Sequence, residues 1–162
     1  IFKSADLSRA NLVNAMLSTP DFSDAKLIGA NLSHSEVWVP VGPDGPYSSE
    51  DSDLCNMERA NLELAILNDT FLIYTNLKLV KAKGATFVRS NLSHADFSRA
   101  DLRNTDFTSA NLQDANLQGA NLSSAILKDA DLRHANLTNV NLRGVDLSTA
   151  KLAGAIMPDG RV

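Results

Sequence analysis

His94, Asp114 and His134 stand at intervals of twenty residues. Imidazole and carboxylate together are the ligand chemistry of a divalent transition metal. Asp44, Glu50, Asp51 and Asp53 crowd into one short stretch and offer oxygen ligands to a hard cation, but not at EF-hand spacing. Lys78, Lys81, Lys83 and Arg89 form a small basic cluster without the interleaved aromatics of a nucleic-acid surface. Serines are plentiful, yet no G-x-S-x-G, H-E-x-x-H or glycine-rich phosphate loop occurs. Cys55 is the single cysteine, which excludes an internal disulfide and a four-cysteine zinc site. What these residues can do depends on the elements that hold them.

The organising feature is a period of five, plainest in ANLQDANLQGANL, residues 110–122. A large apolar residue, the centre, falls at 2, 7, 12, 17, 22, 27, 32 and 37, then at every fifth residue from 57 to 157. Of these 29 centres 20 are Leu, 5 are Phe and 2 are Met, with Val37 and Ala82 completing the set. Two residues before each centre stands a small residue, usually Ala, and Asn or Asp dominates between them. A helix cannot use this period, because five residues advance about 500° and the Leu stripe would wander. A straight strand cannot either, since successive centres would alternate faces. Two inward residues followed by a corner satisfy it, and four corners of about 90° close a square coil. Coils then stack at about 4.8 Å, with backbone groups paired between them and Leu layers forming one column.

That arrangement assigns roles. The Asn and Asp residues are expected to hydrogen-bond the turns rather than catalyse. His34, His94 and His134 fall at outward positions, so the His–Asp–His ladder is expected to be solvated surface, as is the basic cluster. Cys55 falls at a small inward position and is expected to be a buried, inert thiol. Phe2 with Phe22, and Phe87 with Phe107, are twenty apart and should stack. Ala82 is the thin place in the core. No apolar run approaches the roughly 18 residues of a membrane span.

The rhythm stops between residues 38 and 56, WVPVGPDGPYSSEDSDLCN, where Pro and Gly mark a turn-rich loop. Just after it the outward positions Leu64, Ile66, Phe71, Ile73, Tyr74 and Leu79 are apolar. With the loop spliced out, the five centred on Leu72 stacks on the five centred on Val37, which sets Trp38 beside Ile73. Trp38, Tyr47, Phe71, Ile73 and Tyr74 are therefore the candidate interaction surface, covered by the loop itself or open to a separate partner.

The A(N/D)LXX pattern closely resembles the pentapeptide-repeat proteins, over the whole chain except about residues 38–56, and the ending AIMPDG, residues 155–160, looks like that of cyanobacterial members. The resemblance implies an all-β fold, a right-handed quadrilateral parallel β-helix of about seven coils with four pentapeptides each. One domain over 1–162 is expected, with coils 1–37 and 57–157, an inserted loop 38–56 and a C-terminal exit 158–162. The expected function is a non-catalytic structural or protein-interaction scaffold: no catalytic residue, no cofactor, no metal, an unidentified protein partner, no nucleic acid and an open oligomeric state. The alternative that the resemblance offers is a DNA mimic binding a type II topoisomerase. Mimicry needs an acidic surface. Net charge is −4, and the four acids of the loop account for it, leaving 15 acids against 15 bases on the coil. The chain opens at Ile1 inside the repeat, and with the resemblance this makes an exported location, periplasm or thylakoid lumen, the expectation over the cytoplasm.

Overall fold

A computed structural model of the chain describes residues 2–18, 20–38 and 55–162. Each five makes one side of a square, and parallel bridges join residues twenty apart, from Asn56 with Asn76 to Asn136 with Ile156. The rung is regular: the Leu62 amide donates to the Lys81 carbonyl (2.7 Å), and the Lys81 amide donates back to Ala60 (3.0 Å). Side one holds centres 2, 22, 57, 77, 97, 117, 137 and 157. Sides two, three and four follow at each successive five, starting from centres 7, 12 and 17.

The corner is a four-residue turn. The Ala65 amide closes it on the Leu62 carbonyl at 3.0 Å, and the residue two after the centre takes positive φ, as in a type II turn. Twenty non-glycine residues among those described have φ between 56° and 62° at this position. Asn, Asp and His tolerate that region better than most, and many corners use them. The Asn or Asp before the centre braces the same turn: Asn61 Oδ1 accepts from the Glu63 amide (3.0 Å) and Asp96 Oδ1 from the Ser98 amide (2.9 Å). Carboxamides also ladder between coils, with Asn116 Nδ2 donating to Asp96 Oδ1 at 3.3 Å. The expected turn-bracing role of these side chains is what the structure shows.

Inside, centres and small residues are fully buried through the middle of the rod, while Phe2, Leu7, Leu12 and Leu17 at one end and Leu142, Leu147, Leu152 and Met157 at the other are only partly covered. Fully burying one such side chain contributes about 1.5–3 kcal/mol. Phe2 stacks on Phe22 (4.9 Å) and Phe87 on Phe107 (5.0 Å), with Phe97 edge-on to both of the latter at 6.0 Å. Ala82 is completely buried and shares its coil with Phe87, so the smallest centre sits one side away from one of the largest.

Across the interruption the ladder keeps its faces. β1 (Met16–Ser18) pairs in parallel with β2 (Glu36–Trp38), and Glu36 then bridges Phe71. Asp21 with Asn56, Lys26 with Asn61 and Asn31 with Ile66 are likewise 35 apart instead of 20. Fifteen residues are thus outside the coil count, and the five centred on Leu72 stacks on that of Val37. Backbone pairing takes in Trp38 at one end, and Asn56 donates to Pro20 at the other (3.0 Å).

Candidate interaction surfaces

Phe71, Ile73 and Tyr74 lie together on side four, one coil beyond β2. Phe71 is 50% exposed, at a ladder position where Asn91, Asn111 and Asp131 stand in later coils. The Trp38 backbone is in register with this side; its side chain, and Tyr47, lie outside the described residues. The remaining apolar residues are not part of the same surface. Ile66 is on side three, Leu64 at the corner of sides two and three, and Leu79 at the corner of sides one and two. A run of apolar residues that is close in sequence is wound around the rod, because each five turns a corner.

The histidine ladder exists as spacing predicts. The Tyr74 ring stacks on His94 (4.4 Å, 2° between planes), and His94 Nε2 lies 3.9 Å from Asp114 Oδ2. His134 continues the column over Gly154, where any side chain would collide with the imidazole. Among the described residues no group of three or more His, Cys, Asp and Glu is placed to hold a metal ion. Cys55 is buried, and burial pushes its thiol up to about 12, with the neighbouring Thr75 hydroxyl working against that shift and Asp21 adding to it. A protonated, enclosed thiol is a packing group.

Charges are distributed unevenly by side. The basic cluster read along the sequence comes apart: Lys78 pairs with Asp96 on side one (3.4 Å), Arg89 with Asp69 at a corner of side three (2.7 Å), and only Lys81 and Lys83 share side two. Side two has six Lys or Arg against three acids, a net of +3; side one is −1, side three −2 and side four −1. Arg59 reaches back one coil to Asp24, 35 residues away, at 2.8 Å, which ties the coils on either side of the interruption. Arginine hydrogen bonds hold the carboxyls of Asp24, Asp69, Asp101 and Asp131 below the usual carboxylate range.

Two surface grooves complete the picture. One of about 460 Å³ on side one has polar walls that include Lys78, Asp96, Arg99 and Gln118 above the bare Gly119. Another of about 450 Å³ opens on side three, where the rung between Ile126 and Asp146 is missing and the Asp129 amide turns to Thr149 Oγ1 (2.9 Å). Neither brings together a nucleophile, a base and an orienting group. Among the described residues no helix is long and apolar enough to cross a membrane.

A square parallel solenoid with centres inward, braced corners and variable pairs outward is the architecture of a repeat scaffold. The chain belongs to the pentapeptide-repeat family: the profile of the pentapeptide repeats matches over residues 2–35, 85–123 and 115–154, and the fold is that family's right-handed quadrilateral β-helix. It is similar to HetL from the cyanobacterium Nostoc sp. strain PCC 7120, described as involved in heterocyst differentiation regulation. Identity to HetL is 32% over 98% of this chain, at a TM-score of 0.86, and the chain spans 66% of that protein's length. Rfr23 from the cyanobacterium Cyanothece 51142 is 31% identical over 80% of this chain and 85% of its own (TM-score 0.25). QnrB1, a plasmid-mediated fluoroquinolone resistance protein, is 22% identical over 93% of this chain and 86% of its own (TM-score 0.42). No curated protein sequence matches the chain.

Proposed function

We propose that the protein is a non-catalytic protein-interaction scaffold whose recognition surface is side four beside the interruption: Phe71, Ile73 and Tyr74, with Trp38 and Tyr47 contributed by residues 38–56. The observation that carries this reading is the half-exposed Phe71 at a ladder position that bears Asn or Asp in the three coils after it. An exposed apolar group there forgoes the turn brace and offers contact area instead. The involvement of HetL in regulation supports a role in binding a protein rather than transforming a substrate. Affinity capture from the native cell extract tests it, comparing the intact protein with a Phe71→Ser/Ile73→Ser variant and with one whose residues 39–53 are replaced by a short linker. Loss of the same captured protein in both variants is the expected result; capture unchanged in both sinks the reading. The DNA-mimic alternative finds little support in a coil whose charges balance and whose most charged side is basic. A gyrase supercoiling assay showing neither inhibition nor protection disposes of it.

A further inference from the structure

We infer that side two is a second recognition face, for an acidic protein segment carrying aliphatic side chains. The inference rests on the scaffold reading but not on the side-four surface. Side two concentrates the only net positive charge among the four sides, although the coil as a whole is neutral. Four of its six cations have no close ion-pair partner among the described residues, although Lys83 still acts on Asp101 from longer range. Arg9, Lys81, Lys83 and Arg143 make no ion pair within 4.0 Å among the described residues, whereas Lys26 is held by Asp6 and Arg103 by Asp101. Lys81 precedes its centre and Lys83 follows it at the start of the corner turn, so the two exposed ammonium groups flank one buried residue and suit two nearby carboxylates of a partner.

The two corners bounding this side carry leucines under strain. Leu64 and Leu79 have φ of 58° and 57° and are 66% and 42% exposed. A leucine is disfavoured in the left-handed region, a penalty that glycine or asparagine at the same corner largely avoids. The corners next to Leu64 in its own column are Gly29 and Gly84, and a side chain at Gly84 would come within 2.9 Å of Leu64 Cδ2. An exposed aliphatic side chain at a corner of this kind offers apolar contact area. Two aliphatic anchors with cations between them match a segment of two or more carboxylates flanked by aliphatic residues. A phosphate chain is a poorer match: no exposed aromatic is available on this side for base stacking, and Glu63 and Asp101 stand among the cations.

The test is fluorescence anisotropy with a labelled peptide of sequence Leu-Asp-Glu-Asp-Glu-Leu, at ~50 and ~300 mM salt. The intact protein binds at low salt and weakens at high salt. Lys81→Glu/Lys83→Glu lowers affinity about tenfold or more, while Lys3→Glu/Lys128→Glu, the same charge change on sides one and three, leaves it within about twofold. Leu64→Ser/Leu79→Ser weakens binding but keeps its salt dependence. All six substituted positions point outward, and thermal unfolding verifies that the variants fold. Equal loss in both charge variants, no binding at low salt, or equally tight binding of a single-stranded DNA oligonucleotide overturns the proposal. So does peptide binding that appears only after residues 39–53 are replaced, because the chain's own acidic segment would then be the occupant. Each failure leaves the side-four capture result standing on its own.

Discussion

The two coils over residues 96–135 and the coil over 56–75 are built on one inward plan and two outward ones. In the regular block the residue before the centre is Asp or Asn in seven of eight fives, Ile126 being the exception. In the coil after the interruption only Asn56 and Asn61 keep it; Ile66 and Phe71 take the other two places. Both regions bury their centres completely and hold the same bridge register. The ladder therefore does not need every brace, and Ile66, Phe71 and Ile126 occupy positions that it can spare.

The sharpest way to break this equivalence is in the column itself. Phe97 is fully buried, edge-on to Phe87 and Phe107. Phe97→Ala should cost about 3–5 kcal/mol in chemical denaturation. Phe71→Ala, the same truncation at a half-exposed site, should fall within about 0.5 kcal/mol of the parent. Similar losses at both sites would mean that Phe71 is part of the core and not of a surface.

A smaller effect separates the braces. Asn116 accepts from the Gln118 amide, donates to Asp96 and accepts from Asn136. Asn116→Ala should cost about 1–2 kcal/mol, since each net hydrogen bond contributes about 1. In the other region the reverse change, Ile66→Asn, restores a brace and should be neutral or mildly stabilising. Destabilisation there beyond about 1 kcal/mol would show that Ile66 packs against its neighbours in a way its exposure does not suggest. The corners differ in the same sense. Leu64→Gly should stabilise by up to about 1 kcal/mol, the relief of its left-handed φ exceeding the added freedom of the unfolded chain.

Much of the rod is legible in the sequence alone. Period, register, phenylalanine stacking, turn bracing and the 35-residue splice all follow from where Leu and Asn recur. The site is less legible, for a geometric reason. Neighbours in the sequence diverge at each corner, so Lys78, Lys81, Lys83 and Arg89 read as a cluster but occupy three sides. Neighbours in space are twenty apart, or 35 across the interruption, so the basic side two emerges only once the coil is closed. The left-handed corners are hidden as well, because Arg, Leu and Tyr occupy positions where glycine is the usual signal. Trp38 and Tyr47 remain tied to the site by backbone register and sequence alone.

The smallest difference concerns ion pairs. In the regular block the arginine pairs, Arg103 with Asp101 and Arg133 with Asp131, close inside single fives, while the longer lysine contacts of Lys78 with Asp96 (3.4 Å) and Lys151 with Asp131 (3.7 Å) join coils. In the coil after the interruption Arg59 reaches back to Asp24, and Asp69 is reached by Arg89 of the next coil, so these pairs join successive coils. Only pairs that join coils resist their separation. The Arg89 hydrogen bond lowers the Asp69 carboxyl below its ordinary value, with burial opposing and His34 helping. A depressed folded value adds stability above the unfolded one, near 3.9, and that stability disappears as pH falls through the folded value. Asp69→Asn should therefore lower the melting temperature by about 1–2 °C at pH 7. The gap should begin to close below about pH 4 and shrink further as pH falls through the lowered folded value. Asp101→Asn should show the same sign and pH window, but its pair closes within one five. If coil-to-coil pairing matters, amide exchange along the rung between Asp69 and Val88 should speed up in Asp69→Asn, whereas exchange around Asp101 stays unchanged in Asp101→Asn. Equal exchange in the two variants would mean that both pairs merely decorate a ladder held by its backbone.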